Sequence, residues 1–531
     1  MKDIREYHDR TKHRLNRYAA GPGYMDWQTQ PNPFREYEGA QVIQLPMAPG
    51  EITTPYDALF GLGAVAPKPL DMESVSHFFR LSLALAAWKA YGEAKWALRV
   101  NPSSGNLHAE EAYLLTGGLP GLEGGVYHYN SLRHCLESRW IGQWDNRIPP
   151  GMFMIGLSSI HWREAWKYGE RAYRYCQLDI GHALLCLRMA ATALGWRARL
   201  APGAADQSIA EALGLDREDD FAGAETETPD ALVMVFTDDG GSAGQDYIFS
   251  KRSGAGSWQG MANIISARHS HDWPVIEDAA KLTEKPETEE RFEPHPMAAP
   301  LPPCGRSQTA AHIITTRRSG QAYDGSSRMS TATFNRILMA LLPRPGQSPW
   351  DMIPWPAMVH PVFFIHHVDD YPHGVYILVR RPGEEEALKK AMGHKYTWAR
   401  PQAAPDGAPF YMLKRMDARG TATMLSCQQD IAGDGVFSLG MMARYADNLA
   451  AGPWWYRRLH WEAGAIGQAL YLEAEAAGFR GTGIGCYYDD MFHSTIGVDG
   501  EAFADLYHFT VGMALEDNRI TTKAPYQAMG Q

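Results

Sequence analysis

The chain has no long hydrophobic run, no block of lysine or arginine and no closely paired cysteines, and each absence removes a class of function. Its longest apolar stretches, such as Leu81 to Trp88, fall far short of a bilayer span. The opening Met1-Lys-Asp-Ile-Arg-Glu-Tyr7 is too charged for a signal peptide. A net charge of −11 and a pI near 6.0, without basic clusters, leave no electrostatic footprint for nucleic acid or for a membrane surface. The six cysteines, Cys135, Cys176, Cys186, Cys304, Cys427 and Cys486, include no CxxC pair. That argues against a zinc knuckle, an iron–sulfur site and a disulfide framework, and they read as buried or idle thiols. His366 and His367 would point to opposite faces of a strand, and nothing near His269 and His271 completes a ligand set, so no metal is expected. A cytoplasmic protein is the expectation.

What the chain does have is a copy of itself. Tyr173-Arg174, Asp179-Ile180-Gly181, Leu187, Ala191, Ala193 and Gly195-Trp196 align without a gap on Tyr456-Arg457, Glu462-Ala463-Gly464, Leu470, Ala474, Ala476 and Gly478-Phe479, at a constant offset of 283. Apolar residues at steps of three and four make both copies helices that stop at Gly195 and Gly478. Small residues (Ala190, Ala191 and Ala193 against Ala474, Ala476 and Ala477) would let the two helices approach as a pseudo-twofold pair at a domain interface. Strands are expected at Glu110 to Leu115 and Gly125 to Tyr129, echoed by Pro361 to Val368 and Gly374 to Val379. The strand echo has an offset of 249, which places a gain of about 34 residues in the second copy, between Gly383 and Ala451.

The remaining segments follow from composition. Residues 1–55 show no sustained period and read as an extended aromatic arm; Glu73 to Tyr91 has helical spacing; Glu277 to Cys304 is charged and then proline-rich, as in a semi-extended linker. The division expected is an arm (1–55), a first domain (56–280), a linker (281–307) and a second domain (308–531).

Four segments can carry chemistry. Pro102-Ser103-Ser104-Gly105-Asn106, after Arg99, is a turn able to present N–H groups and side-chain donors to a planar heteroaromatic ring or a phosphate. Arg317-Arg318-Ser319, ahead of an expected helix from Ser330 to Leu342, and the late Arg519 supply the charged forks and hydroxyl that a phosphate monoester needs. Gly481-Thr-Gly-Ile-Gly485 follows a helix, so it is no dinucleotide fingerprint, but its glycines can bring main chain against a flat ring. Lys167-Tyr168 has no basic counterpart in the second copy and offers a proton donor and acceptor pair. Asp489-Asp490 and Asp369-Asp370 read as turn or strand-edge residues.

Together these motifs resemble the FMN-dependent nitroreductase superfamily, and more closely its SagB-type dehydrogenase branch, which includes azoline oxidases. The resemblance implies an α+β fold of two nitroreductase-like domains in tandem, each a mostly antiparallel sheet flanked by helices, forming an intramolecular pseudo-dimer. It implies FMN held by Arg99, Ser103, Ser104, Asn106, Arg317, Arg318, Ser319, Gly483, Ile484, Gly485 and Arg519, with Lys167 and Tyr168 as the catalytic pair. The first copy lacks its own Arg-x-Ser element, and Trp350-Asp-Met-Ile-Pro-Trp-Pro356 replaces the serine turn in the second. One intact site and one degenerate site per chain are therefore expected. The substrate would be a small molecule or a peptide, with NAD(P)H or oxygen as candidate second redox partners and the monomer acting as a pseudo-dimer. Two other readings are a degenerate, non-catalytic partner protein in a modification complex and a flavin- or tetrapyrrole-modifying enzyme.

Overall fold

The computed structural model describes the chain except for residues 48–49, 62–64, 145–147, 238–251, 291–292, 294, 296–298, 499–500 and 527–531. Two antiparallel sheets carry the repeat. The first runs Arg252–Trp258, Cys135–Trp144, Gly125–Asn130, Glu110–Thr116, Met152–Ser159, Thr228–Phe236 and Arg197–Leu200, with Val42–Gln44 also on Cys135–Trp144. The second runs in the same order: Phe410–Arg415, Gly374–Leu378, Val359–Ile365, Phe437–Arg444, Phe503–Gly512 and Arg480–Ile484. The expected strand pairs are present in both sheets. The gapless correspondence also extends past the helices: Asp206–Leu213 and Asp489–Ile496 are both helices that end on a left-handed glycine, Gly214 and Gly497, again 283 apart.

Between the sheets lie the two repeat helices, Ala172–Ala193 and Trp455–Ala477, and every residue of the first is buried. They cross where the repeat places its glycines. A Cβ on Gly181 would run into the Trp461 carbonyl, and one on Gly464 into the Leu178 carbonyl and to 3.0 Å from the Gly181 Cα. The closest approach thus rests on Gly181 and Gly464 rather than on the alanines, because backbone meets backbone there and even a methyl has no room.

Burying whole helices means burying their polar residues, which must find partners. Arg174 of the first helix donates to Asp489 at 2.8 Å, at the start of the helix Asp489–Ile496. Arg457 of the second donates to Asp206 at 2.6 and 2.8 Å, at the start of Asp206–Leu213. Both arginines and both aspartates are repeat equivalents, so the two halves exchange ion pairs across the pseudo-twofold axis. Tyr173 and Tyr456, equivalent again, face each other in parallel with ring centroids 6.5 Å apart. Tyr7 sets its edge against both, at 5.9 and 6.1 Å.

Several segments differ from the sequence expectation. The arm is not wholly extended: Ile4–Arg10 is a helix, capped by Asp3, that docks Tyr7 on the axis. Glu73 to Tyr91 is a helix only over Met72–Arg80; Leu85–Tyr91 is a strand paired with Ala94–Arg99. Gly92, at φ +56°, makes the turn and removes the residues from any helical path. Pro274–Leu282 is helical at the start of the stretch read as linker, burying Val275, Ile276 and Ala279. Asp489 and Asp490 open a helix rather than edge a strand, because Arg174 and Arg171 hold Asp489 there. Cys427 and Cys486 form a disulfide, correcting their reading as idle thiols; the fold joins residues 59 apart that no local spacing connects. Cys135, Cys176 and Cys186 are buried free thiols and Cys304 is half-buried.

Replacing Gly464 by Ala should lower the midpoint of thermal unfolding by several degrees, corresponding to about 3 kcal/mol or more of overpacking at a rigid backbone contact. Gly420→Ala, in a helix with open space around it, should leave the midpoint unchanged or raise it slightly. Equal effects of the two substitutions would refute the role of the crossing.

Candidate functional site

A cavity of about 840 Å³ opens between the halves beside the helix crossing. The first half contributes the Pro102–Asn106 turn, the hairpin residues Lys89, Trp96 and Leu98, and the helix residues Tyr175, Asp179 and His182. The second half contributes Thr316, Arg318 to Gln321, Tyr471 and the edge strand from Arg480 onward through Cys486. The C-terminal strand Thr521–Lys523 crosses back to pair with Leu85–Tyr91, so the first half's hairpin and the second half's tail share one wall. His13 of the arm and Gln429, from between Gly383 and Ala451, also line the cavity.

The serine turn is built from inside. Gly105 and Asn106 hold φ +58° and +60°. Asp179 accepts from the Ser104 N–H at 3.0 Å and its hydroxyl at 2.9 Å, Asn106 donates to the Ala97 carbonyl at 2.7 Å, and the Ser103 hydroxyl accepts from the His108 N–H at 2.7 Å. The side chains of the turn thus fix its shape while its outer face meets the cavity. Glu462, the repeat equivalent of Asp179, accepts from the Met358 and Val359 N–H groups at the corresponding place in the other half.

The glycines of Gly481–Gly485 serve the chain's own rings. A Cβ on Gly483 would overlap the Tyr507 hydroxyl, one on Gly485 the Tyr175 ring, and one on Gly481 would come within 2.7 Å of the Phe509 ring. Arg480–Ile484 is itself a strand rather than a loop, paired with Phe503–Gly512. Tyr471 closes this wall: its hydroxyl meets Ser319 at 3.0 Å and accepts from the Gly483 N–H at 3.0 Å.

Cations gather at one end. The Lys89 ammonium lies 2.8 Å from the Thr522 hydroxyl, and the Arg318 guanidinium donates to the carbonyls of Thr315, Arg317 and Ala86. Neither pairs with a carboxylate among the described residues, whereas Arg480 at the same end is paired with Glu475. Burial, and then Arg317, pulls the Arg318 guanidinium down to about 10, and burial, and then Arg318, lowers Lys89. Glu516 and Glu475 oppose these shifts only in part, so this end of the cavity could hold an anion.

Tyr168 lines the opposite reach of the cavity, with its hydroxyl and the Lys167 ammonium both against Gly105. Burial first, then Glu164, Tyr175 and Asp179, raise the Tyr168 phenol well above its ordinary range, so it keeps its proton. Among the described residues, neither carboxylate oxygen of the buried Glu164 has a hydrogen bond of normal geometry, although Lys167 and Ser103 lie close enough to favour its charged form. Burial, followed by Asp179 and Glu110, holds Glu164 well above the usual carboxylate range.

Of the residues singled out in the sequence, Ser103, Ser104, Asn106, Tyr168, Arg318, Ser319, Gly483, Ile484 and Gly485 line this cavity. Four do not. Arg99 is turned to the Pro33 and Glu110 carbonyls. Arg317 reaches the Val100 and Arg99 carbonyls and stacks behind Tyr471 at 4.9 Å, leaving Nη1 without a partner. Arg519 is exposed and pairs with Asp517, and Lys167 lies behind Gly105. Sequence reasoning missed Lys89, hidden in a stretch read as helix, and Arg480, which the repeat matches to Arg197. It passed over Asp179, although Asp179 stands within the aligned segment.

The pseudo-twofold mate of this cavity is filled. Leu200, Ala201 and Pro202, equivalent to Gly483, Ile484 and Gly485, border a space of only about 20 Å³ with Trp355, Arg458 and Trp461. There Arg458 stands where the open site has Tyr175.

A solved structure from Anabaena variabilis, provisionally described as a nitroreductase, superposes with a TM-score of 0.69 over 97% of this chain and 100% of that one, at 20% identity. The chain has the nitroreductase fold. It is built as two such domains in tandem that form an intramolecular pseudo-dimer. No family model matches the chain. The trifolitoxin-processing protein TfxB of Rhizobium leguminosarum bv. trifolii is 30% identical over 147 residues, 24% of this chain and 39% of that protein, so the chain spans about two fifths of that relative's length. A protein from Exiguobacterium sibiricum, also provisionally described as a nitroreductase and solved in complex with FMN, is 13% identical, with a TM-score of 0.22 over 42% of this chain and 91% of that one; that likeness is too weak to bear on the site. Among the described residues, no helix is long and apolar enough to cross a membrane and no cluster of His, Cys, Asp and Glu could hold a metal.

The raised Glu164 makes a pH prediction. A carboxyl whose folded pKa lies above its unfolded value of about 4.3 contributes stability below that pH and loses it as the pH rises through the folded value. Glu164→Gln should therefore be more stable than the parent at pH 7 to 8, with the gap closing toward about pH 4. Thermal midpoints of both proteins across that range check it, and a gap that did not change with pH would contradict the raised, buried carboxyl.

Proposed function

We propose that the chain is an FMN-dependent oxidoreductase that exchanges hydride with an organic substrate, of the SagB-type dehydrogenase kind, working in the cytoplasm on a small molecule or peptide. The observation that carries the reading is the cavity of about 840 Å³, walled by both halves, with Lys89 and Arg318, neither in an ion pair among the described residues, at one end. The residues present fit FMN. The cationic end and the Ser319 hydroxyl suit a phosphate monoester, and the serine turn and the Gly483–Gly485 main chain form facing walls for a flat ring system. When bound, FMN would supply the hydride acceptor or donor.

The chain's own part is positioning and proton control. Asp179 fixes the serine turn, and Tyr471, backed by Arg317, fixes Gly483. Tyr168, kept neutral by burial, holds a proton at its hydroxyl next to the cavity, and the Lys167 ammonium lies beside it. These two would move the proton that accompanies hydride transfer. Ser103, Ser104, Asn106, Arg318, Ser319, Gly483, Ile484 and Gly485 would contact the cofactor directly, whereas Arg99, Arg317 and Arg519 would act, if at all, through neighbours.

The filled second cavity gives weight to a second reading, a non-catalytic partner within a modification complex. Purification separates the two: the enzyme is yellow, or becomes so with added FMN, and the partner protein stays colourless. Arg318→Ala should lose the flavin on gel filtration. Tyr168→Phe and Lys167→Ala should keep it and lower turnover by on the order of a hundredfold. Full activity in both of the latter would remove them from the proton path.

A further inference from the structure

The cavity has sulfur in its wall. Cys486 lines it, one residue beyond Gly485, and is joined to Cys427, whose Cα lies 5.7 Å away. Cys427 belongs to the connection between the helices Arg419–Leu425 and Ile431–Asp434, where Gln428 and Asp430 are exposed. One half-buried cysteine therefore lines the cavity, and the other, also half-buried, sits in a loop with exposed neighbours.

Three observations set this bridge apart from a structural staple. Cys427 and Gln428 hold φ +53° and +60°, a left-handed conformation that strains non-glycine residues. Gln429, the next residue, lines the cavity and donates to the carbonyls of Ser426 at 2.8 Å and Cys486 at 3.3 Å, which ties the strained loop to the cavity wall. The buried thiols elsewhere are inert by contrast: burial pushes Cys135 and Cys186 up to about 12 and raises Cys176 well above its ordinary range.

We propose that Cys427–Cys486 is a redox-active pair that carries electrons between the cavity and a low-molecular-weight disulfide in solution. The proposal rests on the FMN reading of the cavity. The S–S bond of the pair takes two electrons and two protons from reduced flavin, giving two thiols and oxidised flavin. The Cys427 thiolate then attacks an external disulfide RSSR, forming a mixed disulfide and releasing RSH once the leaving thiolate is protonated. Cys486 closes on the mixed disulfide, releases the second RSH and restores the bridge. The sum is reduced flavin plus RSSR giving oxidised flavin plus two RSH, which supplies the acceptor half of turnover. In a reducing cytoplasm a bridge of this kind is catalytic or redox-sensing rather than structural.

The test is an anaerobic dithionite titration of the FMN-loaded full chain. The parent should take up about four electrons per flavin, and Cys427→Ser and Cys486→Ser about two. Alkylation of the denatured parent, read by mass spectrometry, should label Cys427 and Cys486 only after reduction. Oxidised glutathione added to the reduced parent should bring back the flavin spectrum, and should fail to do so in the variants. If either variant does not fold, the electron count and alkylation of the parent decide alone. A parent that binds FMN but takes up only two electrons, with both cysteines still bridged, overturns the relay and leaves the FMN reading standing. A colourless chain that takes up no FMN overturns both.

Discussion

Everything in this molecule hangs on the crossing of two buried helices at Gly181 and Gly464. With no side chain at either position the backbones meet, and the halves are brought close enough for one cavity to have walls from both. Close approach alone does not set register, since helices with small residues can slide. The exchanged pairs Arg174–Asp489 and Arg457–Asp206 do set it. A buried ion pair adds little net stability over a well-packed apolar substitute, but breaking one costs roughly 3–5 kcal/mol because a charge is left unpaired. A slipped register would break two at once. The pairs therefore act less as glue than as a penalty on every wrong alignment.

One of these pairs, Arg174–Asp489, connects the fold to the site. Asp489 is held by Arg174 and Arg171, and Arg171 also donates to the Gly485 carbonyl at 3.3 and 3.2 Å, as does the Tyr175 hydroxyl at 3.0 Å. The end of the glycine strand, and with it Cys486, is thus fixed by the network that fixes the interface. Tyr7 of the arm closes the axis over Tyr173 and Tyr456, so even the N-terminal segment answers to the helix crossing.

How much of this was legible in the sequence depended on whether the signal was local. The repeat, both long helices and the four expected strands were readable because their periods are intrinsic to the chain. The stretch from Leu85 to Tyr91 was not: Leu-Ala-Ala-Trp-Lys-Ala-Tyr suits either period, and pairing with Ala94–Arg99 decides it. That error concealed Lys89. The direction of Arg317 was equally hidden, because two adjacent arginines of one motif part company only when Tyr471 and the Arg99 and Val100 carbonyls are in place. Asp179 could have been found, since an acidic residue amid an apolar helix face demands a donor, and the serine turn was the nearest supply.

Fusion of two copies explains why one cavity could close. In a symmetric dimer of one chain every substitution strikes both sites, so a residue that fills one cavity fills the other. In a tandem chain the copies are free to differ, and here they do: Gly483 against Leu200, Gly485 against Pro202, Tyr175 against Arg458. The open cavity costs stability, because its wall holds the partly desolvated Lys89 beside Arg318, with Glu516 and Glu475 offsetting only part of that cost. The filled one repays part of it, as burying a tryptophan such as Trp355 or Trp461 is worth on the order of 2–4 kcal/mol by area. Closing the second site is thus more than decay. Its packed side chains help hold the scaffold that keeps the first site open.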